Sequence, residues 1–199
     1  MHGQVFRNQV LARQLLRKAA PSLFSGPKCT VAVPLDALRE ASLDPAVCTI
    51  HYRAAPNSYG TPPTLMGVVL RRIEGDFLLN VCQVQPQRSA GASSLLAEQL
   101  AASGLRLLER DAADIRREPI YSNVQEVWSS EHVQVSLDDR LRIGAALCED
   151  GPQSIRELQD RAHPSCDIVS AVCALSCQGL LELDIRDRAL GLNTIVRAI

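Results

Sequence analysis

The sequence predicts an α/β chain, with a mixed-sheet core followed by a small unit of three helices and a strand. Two patterns predict it. Strand-length apolar runs bracket a turn in the middle of the chain, between stretches of helical spacing. A second series of capping signals and stops fills the last third. The composition agrees. With 46% hydrophobic and 22% charged residues over 199 positions, the chain can bury a core in one medium or two small domains. A disordered tail, a disulfide miniprotein and a collagen-like fibre are excluded.

The elements follow in order. Gln4 to Ala19 reads as an amphipathic helix, with Val5, Val10, Leu11, Leu15 and Leu16 among Arg7, Arg13, Arg17 and Lys18 and no acid. Pro21 to Pro27 is a linker. Leu35 to Leu43 is a short helix that Asp44-Pro45 breaks. Val47 to Arg53 and Leu65 to Ile73 are strands, Glu74-Gly75-Asp76 is a turn, and Phe77 to Val84 returns as a hairpin partner. Ser93 to Gly104 is a helix with Gly104 at its C-terminal end. Leu105 to Leu108 is a short strand, and Ala112 to Arg117 a helical turn.

In the last third, Ser136 and Asp139 have capping-box spacing and open a helix to about Cys148. Ser154 and Glu157 form a better box, opening a helix to about Ala162. Asp167 caps a third helix through Cys177, closed by Gly179, and Leu180 to Ile185 is an alternating strand. Three short helices and a strand describe a winged helix-turn-helix domain. The expected divisions are a basic arm and linker over 1–27, a core over 28–134 and a winged helix over 135–199. Tyr121 and Trp128 are expected to fasten the connection between domains.

Charge and cysteine usage narrow the function. The net charge of −1 divides into +2 before Ser136 and −3 from there on. Such a chain does not bind nucleic acid by bulk attraction alone. Only two of its 21 basic residues are lysine, Lys18 and Lys28, so no later position offers one. Seven cysteines without a C-x-x-C pair, no signal-peptide pattern in Met1 to Ala20 and no membrane-length apolar stretch indicate a reduced, cytoplasmic protein.

Certain residues carry a resemblance. Tyr59-Gly60-Thr61-Pro62-Pro63 precedes the hairpin, whose return strand reads Val81-Cys82-Gln83-Val84-Gln85-Pro86. Ile115-Arg116-Arg117-Glu118-Pro119-Ile120-Tyr121-Ser122-Asn123-Val124 follows the core, and the winged helix comes next. From about Leu35 to Ile185 the chain resembles the TnsA family of transposon end-processing endonucleases. The resemblance implies a restriction-endonuclease-like PD-(D/E)XK core with a C-terminal winged helix.

Such a nuclease holds Mg²⁺ through an aspartate at the hairpin and an acidic or amide group on the return strand. A lysine two positions further on reaches the same face, and a glutamate on the upstream helix completes the set. The resemblance places Pro63 at the aspartate, Gln83 at the strand amide and Gln85 at the lysine. The upstream glutamate falls near Pro34, with Asp36 and Glu40 the nearest carboxylates. Proline supplies no ligand oxygen, and Gln85 no charge. Losing both costs far more than the about 10²–10³-fold attached to one electrostatic donor. Glu74 and Asp76 lie at the expected hairpin tip, away from that site. Arg88 cannot act as a base at neutral pH.

Other constellations are weaker. Cys166, Cys173 and Cys177 with His163 lack structural-zinc spacing, and Cys173 sits among apolar residues. The third helix of the winged helix offers Asp167, Ser170, Ser176 and Gln178 but no basic residue, a poor groove reader. Protein docking suits that domain better. Any DNA contact is expected from Arg7, Arg13, Arg17 and Lys18 and from Arg53, Arg71, Arg72 and Arg88 around the hairpin. The expected function is therefore a catalytically inactive TnsA-like subunit that contacts double-stranded transposon DNA and docks a transposase or an AAA+ regulator. No membrane and no cofactor are expected. The alternatives are an endonuclease with a rearranged site, which requires Mg²⁺, and a winged-helix transcriptional regulator.

Overall fold

The computed structural model describes residues 32–53 and 67–199. The expected arm over Gln4 to Ala19, the linker after it and the Tyr59–Pro63 segment lie outside the described residues. The chain is mixed α/β and forms two compact units that divide after Ile115.

In the first unit, helix α1 (Ala32–Leu43) buries Ala37, Leu38 and Ala41. Asp44-Pro45 ends it as expected. Asp44 Oδ1 accepts from the Ala46 amide at 3.0 Å, and the Asp44 carbonyl accepts from Val47 N at 2.9 Å. This local closure competes with another helical turn and delivers the chain into β1.

Strands β1 (Val47–Arg53), β2 (Gly67–Arg72), β3 (Gly75–Cys82) and β4 (Leu105–Asp111) form one sheet in that order. The first two pairings are antiparallel and β3–β4 is parallel. A parallel pair needs a crossover, supplied by α2 (Ala90–Ala102). Ser89 caps α2, earlier than the sequence signal at Ser93, and Gly104 follows its end at φ 70° as the glycine there requires.

Side-chain alternation gives the sheet two faces. Ile50, Val68 and Leu70 pack with Leu38 and Ala41 of α1. On that side too, Val81 meets Ala37 and the short helix α3 (Ala112–Ile115). Val69, Leu78 and Leu105 pack with Leu100 of α2 on the other side.

The hairpin register corrects two expectations. Arg72 pairs with Gly75 and Arg71 with Asp76, so the tip is Ile73-Glu74 and Asp76 belongs to the strand. The return strand also stops at Cys82, short of the expected Val84. Its partner β4 runs out there, with Cys82 opposite Asp111. Conversely, β4 extends past the expected Leu108 because β3 pairs with it along that whole length.

The second unit contains α4 (Ile120–Ser129), α5 (Leu137–Asp150), α6 (Ile155–Ala162) and α7 (Ile168–Cys177). Short strands β5 (Gln153–Ser154), β6 (Leu181–Leu183) and β7 (Ile195–Ala198) form an antiparallel sheet in the order β5-β7-β6. Ser136, Ser154 and Asp167 cap their helices as expected, and Ser154 with Glu157 forms the full reciprocal box.

Helix α4 packs on α7 and buries Val124, Val127 and Trp128. The break after Ile115 precedes the expected division at 134/135, and Trp128 is buried in this unit. Asn123 explains the attachment further. Its Nδ2 donates to the carbonyls of Ile185 at 2.8 Å and Arg188 at 2.7 Å, while its Oδ1 accepts from Leu190 N at 2.8 Å.

Candidate functional site

The expected site positions separate in space. Asp36 and Glu40 lie one turn apart on α1, Asp36 buried and Glu40 half-buried. Gln83 and Gln85 fall beyond the last residue of β3 and are exposed. They are not carried on strand pleats, so the two-residue spacing that places side chains on one face does not apply to them. Pro63 lies outside the described residues.

What α1 does face is an arginine the sequence did not single out. Arg110, near the end of β4, reaches both Glu40 oxygens through Nη2, at 3.2 and 3.1 Å. Its Nε donates to Asp114 of α3. Burial by itself lowers the Arg110 pKa, but the Glu40 and Asp114 charges and hydrogen bonds together reverse this and leave it raised. Asp111 stands beside it and caps α3, its Oδ1 accepting from Asp114 N at 2.8 Å. The i, i+4 spacing of Arg110 and Asp114 was the available signal. It went unread because the strand was expected to stop at Leu108.

The arginines expected to meet DNA are mostly committed to carboxylates. Arg71 makes a bidentate pair with Asp76, at 2.9 and 3.0 Å. The Arg71 hydrogen bond holds the Asp76 carboxyl below its ordinary range. Arg72 donates to Asp44 at 3.1 Å and lies over the Phe77 ring, 5.8 Å from its centroid. Arg106 faces the same ring at 5.0 Å. Arg88 grips Glu109 with both terminal nitrogens, and Asn80 Nδ2 donates to that carboxylate at 2.7 Å. These bonds, Arg88 first, lower the Glu109 pKa.

Arg53 differs, having no carboxylate partner among the described residues. His51 shares its strand. Partial burial first, and the Arg71 charge second, lower its pKa and favour the neutral imidazole. Arg7, Arg13, Arg17 and Lys18 lie outside the described residues.

Two of the cysteines behave as packing groups. Cys173 and Cys177 are buried in α7, and Cys177 Sγ donates to the Val127 carbonyl at 3.4 Å. Burial pushes the Cys173 thiol up to about 12. Among the described residues, no group of three or more His, Cys, Asp or Glu side chains is arranged to hold a metal ion. None of the described helices is long and apolar enough to cross a membrane.

Fold and site together define a two-unit α/β protein whose sheet carries a dense arginine–carboxylate network. No family model, curated protein or solved structure matches this chain.

Proposed function

We propose that this chain is a catalytically inactive, TnsA-like subunit of a cytoplasmic DNA transposition complex. It contacts double-stranded transposon DNA and docks a transposase or an AAA+ regulator through its C-terminal unit. The observation that carries this reading is the order of elements. A helix, three strands, a helix and a fourth strand build the mixed sheet, and three capped helices with a short antiparallel sheet follow α4. That is the order in which the resemblance runs. A restriction-endonuclease-like core and a winged helix account for the two units.

Two further features support the assigned roles. Inactivity follows from side chains that cannot do the chemistry: Pro63 has no ligand oxygen and Gln85 no charge. Docking rather than groove reading suits a helix α7 in which Ile168 and every residue from Ala171 to Cys177 are buried. A helix packed in this way, with α4 against it, has little face left for base edges.

The test is co-purification with a transposase from the same source cell. Binding that disappears on deleting residues 116–199 is expected, and binding that survives overturns the docking role. Nicking of transposon-end DNA in Mg²⁺ or Mn²⁺, lost on Gln83→Ala, overturns inactivity.

A further inference from the structure

We propose that one face of β1 is a phosphate-contacting strip for double-stranded DNA, on which Arg53 and a protonated His51 engage neighbouring phosphates of one DNA strand. The inference rests on the DNA-contacting role proposed above and assigns it two side chains and a proton.

The register supplies the argument. Ile50 and Tyr52 pack on the α1 side, so Thr49, His51 and Arg53 occupy the opposite face. β1 is the end strand of its sheet, and α2 packs over Val69, Leu78 and Leu105 on the strands beyond it. Thr49, His51 and Arg53 are only half-buried. Across from Arg53 stands Gly67, which brings no side chain to pair with it, and across from His51 stands Val69, which accepts no hydrogen bond. Among the described residues, the Arg53 and His51 side chains have no hydrogen-bond or ion-pair partner. Arg71, a further cation on this face, is by contrast held by Asp76.

Spacing then selects the ligand. Alternate residues of an antiparallel strand stand about 6.8 Å apart, close to the step between successive phosphates along one DNA strand. A backbone with that repeat can meet both side chains without either leaving its pleat. Guanidinium and imidazolium both donate charge-assisted hydrogen bonds to phosphate oxygens.

In the free chain the imidazole is mostly neutral at pH 7. Burial first and the Arg71 charge second lower its pKa, Asp76 opposes them and Arg53 adds to them. A phosphate beside the ring favours the imidazolium and reverses that shift. DNA binding should therefore take up a proton, and affinity should rise as pH falls.

The experiment follows the His51 imidazole of the full chain by NMR over about pH 5 to 8, free, with a short DNA duplex of arbitrary sequence, and with inorganic phosphate. The duplex should raise the His51 pKa, and no rise overturns the proposal. An equal rise with inorganic phosphate alone would show a free-anion site and overturn the assignment to DNA. Fluorescence anisotropy with the same duplex gives the second readout. Affinity should rise by about fivefold or more from about pH 7.5 to about pH 5.5. The slope of log affinity against log salt should steepen over that range by up to about 0.9. His51→Gln should remove about half or more of both pH effects, and a smaller reduction overturns the proposal. Arg53→Ala should flatten the slope by about 0.9 at either pH, with Arg53→Lys restoring it; an unchanged slope in Arg53→Ala overturns the proposal too. A chain that binds no duplex at any pH overturns the DNA-contacting role itself, whereas pH-independent binding overturns only this strip. Transposase capture, which decides the docking role, is independent of these results.

Discussion

Asp139 and Ser165 are joined twice, the Ser165 amide and hydroxyl each donating to one Asp139 oxygen at 2.8 Å. Asp139 stands in the first turn of α5 with only 1% of its surface exposed. It also accepts from the Ser136 hydroxyl at 2.9 Å. Its carboxylate thus ties the start of α5 to the turn between α6 and α7. The box predicted from Ser136 and Asp139 is therefore only half local, because the acid divides its oxygens between the Ser136 hydroxyl and Ser165.

These donors, the Ser165 amide first, hold the Asp139 pKa down to about 2. The folded value lies below the unfolded value of about 3.9. The resulting stabilisation is complete above pH of about 4 and is lost as pH falls through 2. Asp139→Asn should lower the melting temperature at pH 7 by about 5 °C or more. The gap to the natural chain should close between pH 4 and 2. A gap that does not change with pH would show that packing, not charge, makes the contribution.

Asn123 predicts a pH-independent loss. Asn123→Ala removes three hydrogen bonds and leaves two carbonyls and one amide of the 185–190 segment without these partners. Leaving such groups unsatisfied costs about 3 kcal/mol in total. The free energy of unfolding from urea denaturation should fall by that amount, with a correspondingly lower midpoint. An unchanged midpoint would mean that water replaces the side chain without cost.

Legibility in the sequence followed the range of the forces. Helices α5, α6 and α7 could be read because Ser136, Ser154 and Asp167 act within three residues of themselves. The β2–β3 hairpin was visible in its alternation, but its register was not. Asp76 pairs with Arg71 only once the two-residue tip is set by Gly75, at φ 134°. Strands β5 and β7 escaped because two and four residues carry no readable period, and they exist only by pairing with each other and with β6. The Glu40–Arg110 contact spans 70 positions, a separation that no local pattern reports. The expected site positions Gln83 and Gln85 were legible as residues. Their place beyond the strand was not, since it depends on where β4 ends.

The position of α4 makes a prediction about fragments. Ile120, Val124, Val127 and Trp128 are buried in the second unit. Exposing four such side chains forfeits roughly 6–10 kcal/mol, comparable with the whole stability of a small domain. Residues 116–199 should therefore give a cooperative melt and dispersed amide resonances, and residues 136–199 neither. A folded 136–199 fragment would restore the boundary expected at 134/135.

Thiol reactivity should sort by burial. Cys48 and Cys148 are exposed, whereas Cys173 and Cys177 are buried. With its pKa pushed up to about 12, Cys173 supplies almost no thiolate at pH 8. Mass spectrometry after brief iodoacetamide treatment should find Cys48 and Cys148 modified and Cys173 intact until denaturant unfolds the chain. Early modification of Cys173 would show that α7 opens in the native state.

The arginine pairs decide how DNA binding should respond to salt. A cation that contacts phosphate releases counterions and steepens the salt dependence by about 0.9 per contact. Arg71, Arg72 and Arg88 already carry Asp76, Asp44 and Glu109 as counter-charges. Replacing any one of them with alanine frees an acid as well as removing a base. The slope of log affinity against log salt should then change by less than about 0.5 for each. The segment over 1–27 is different in composition, with Arg7, Arg13, Arg17 and Lys18 and no acid. Deleting it should flatten the slope by up to about 3 to 4 and weaken binding most at low salt. Fluorescence anisotropy on a transposon-end duplex between about 50 and 200 mM salt measures both effects. Equal losses from the deletion and from Arg71→Ala would place the DNA on the hairpin instead, which requires the Arg71–Asp76 pair to open on binding.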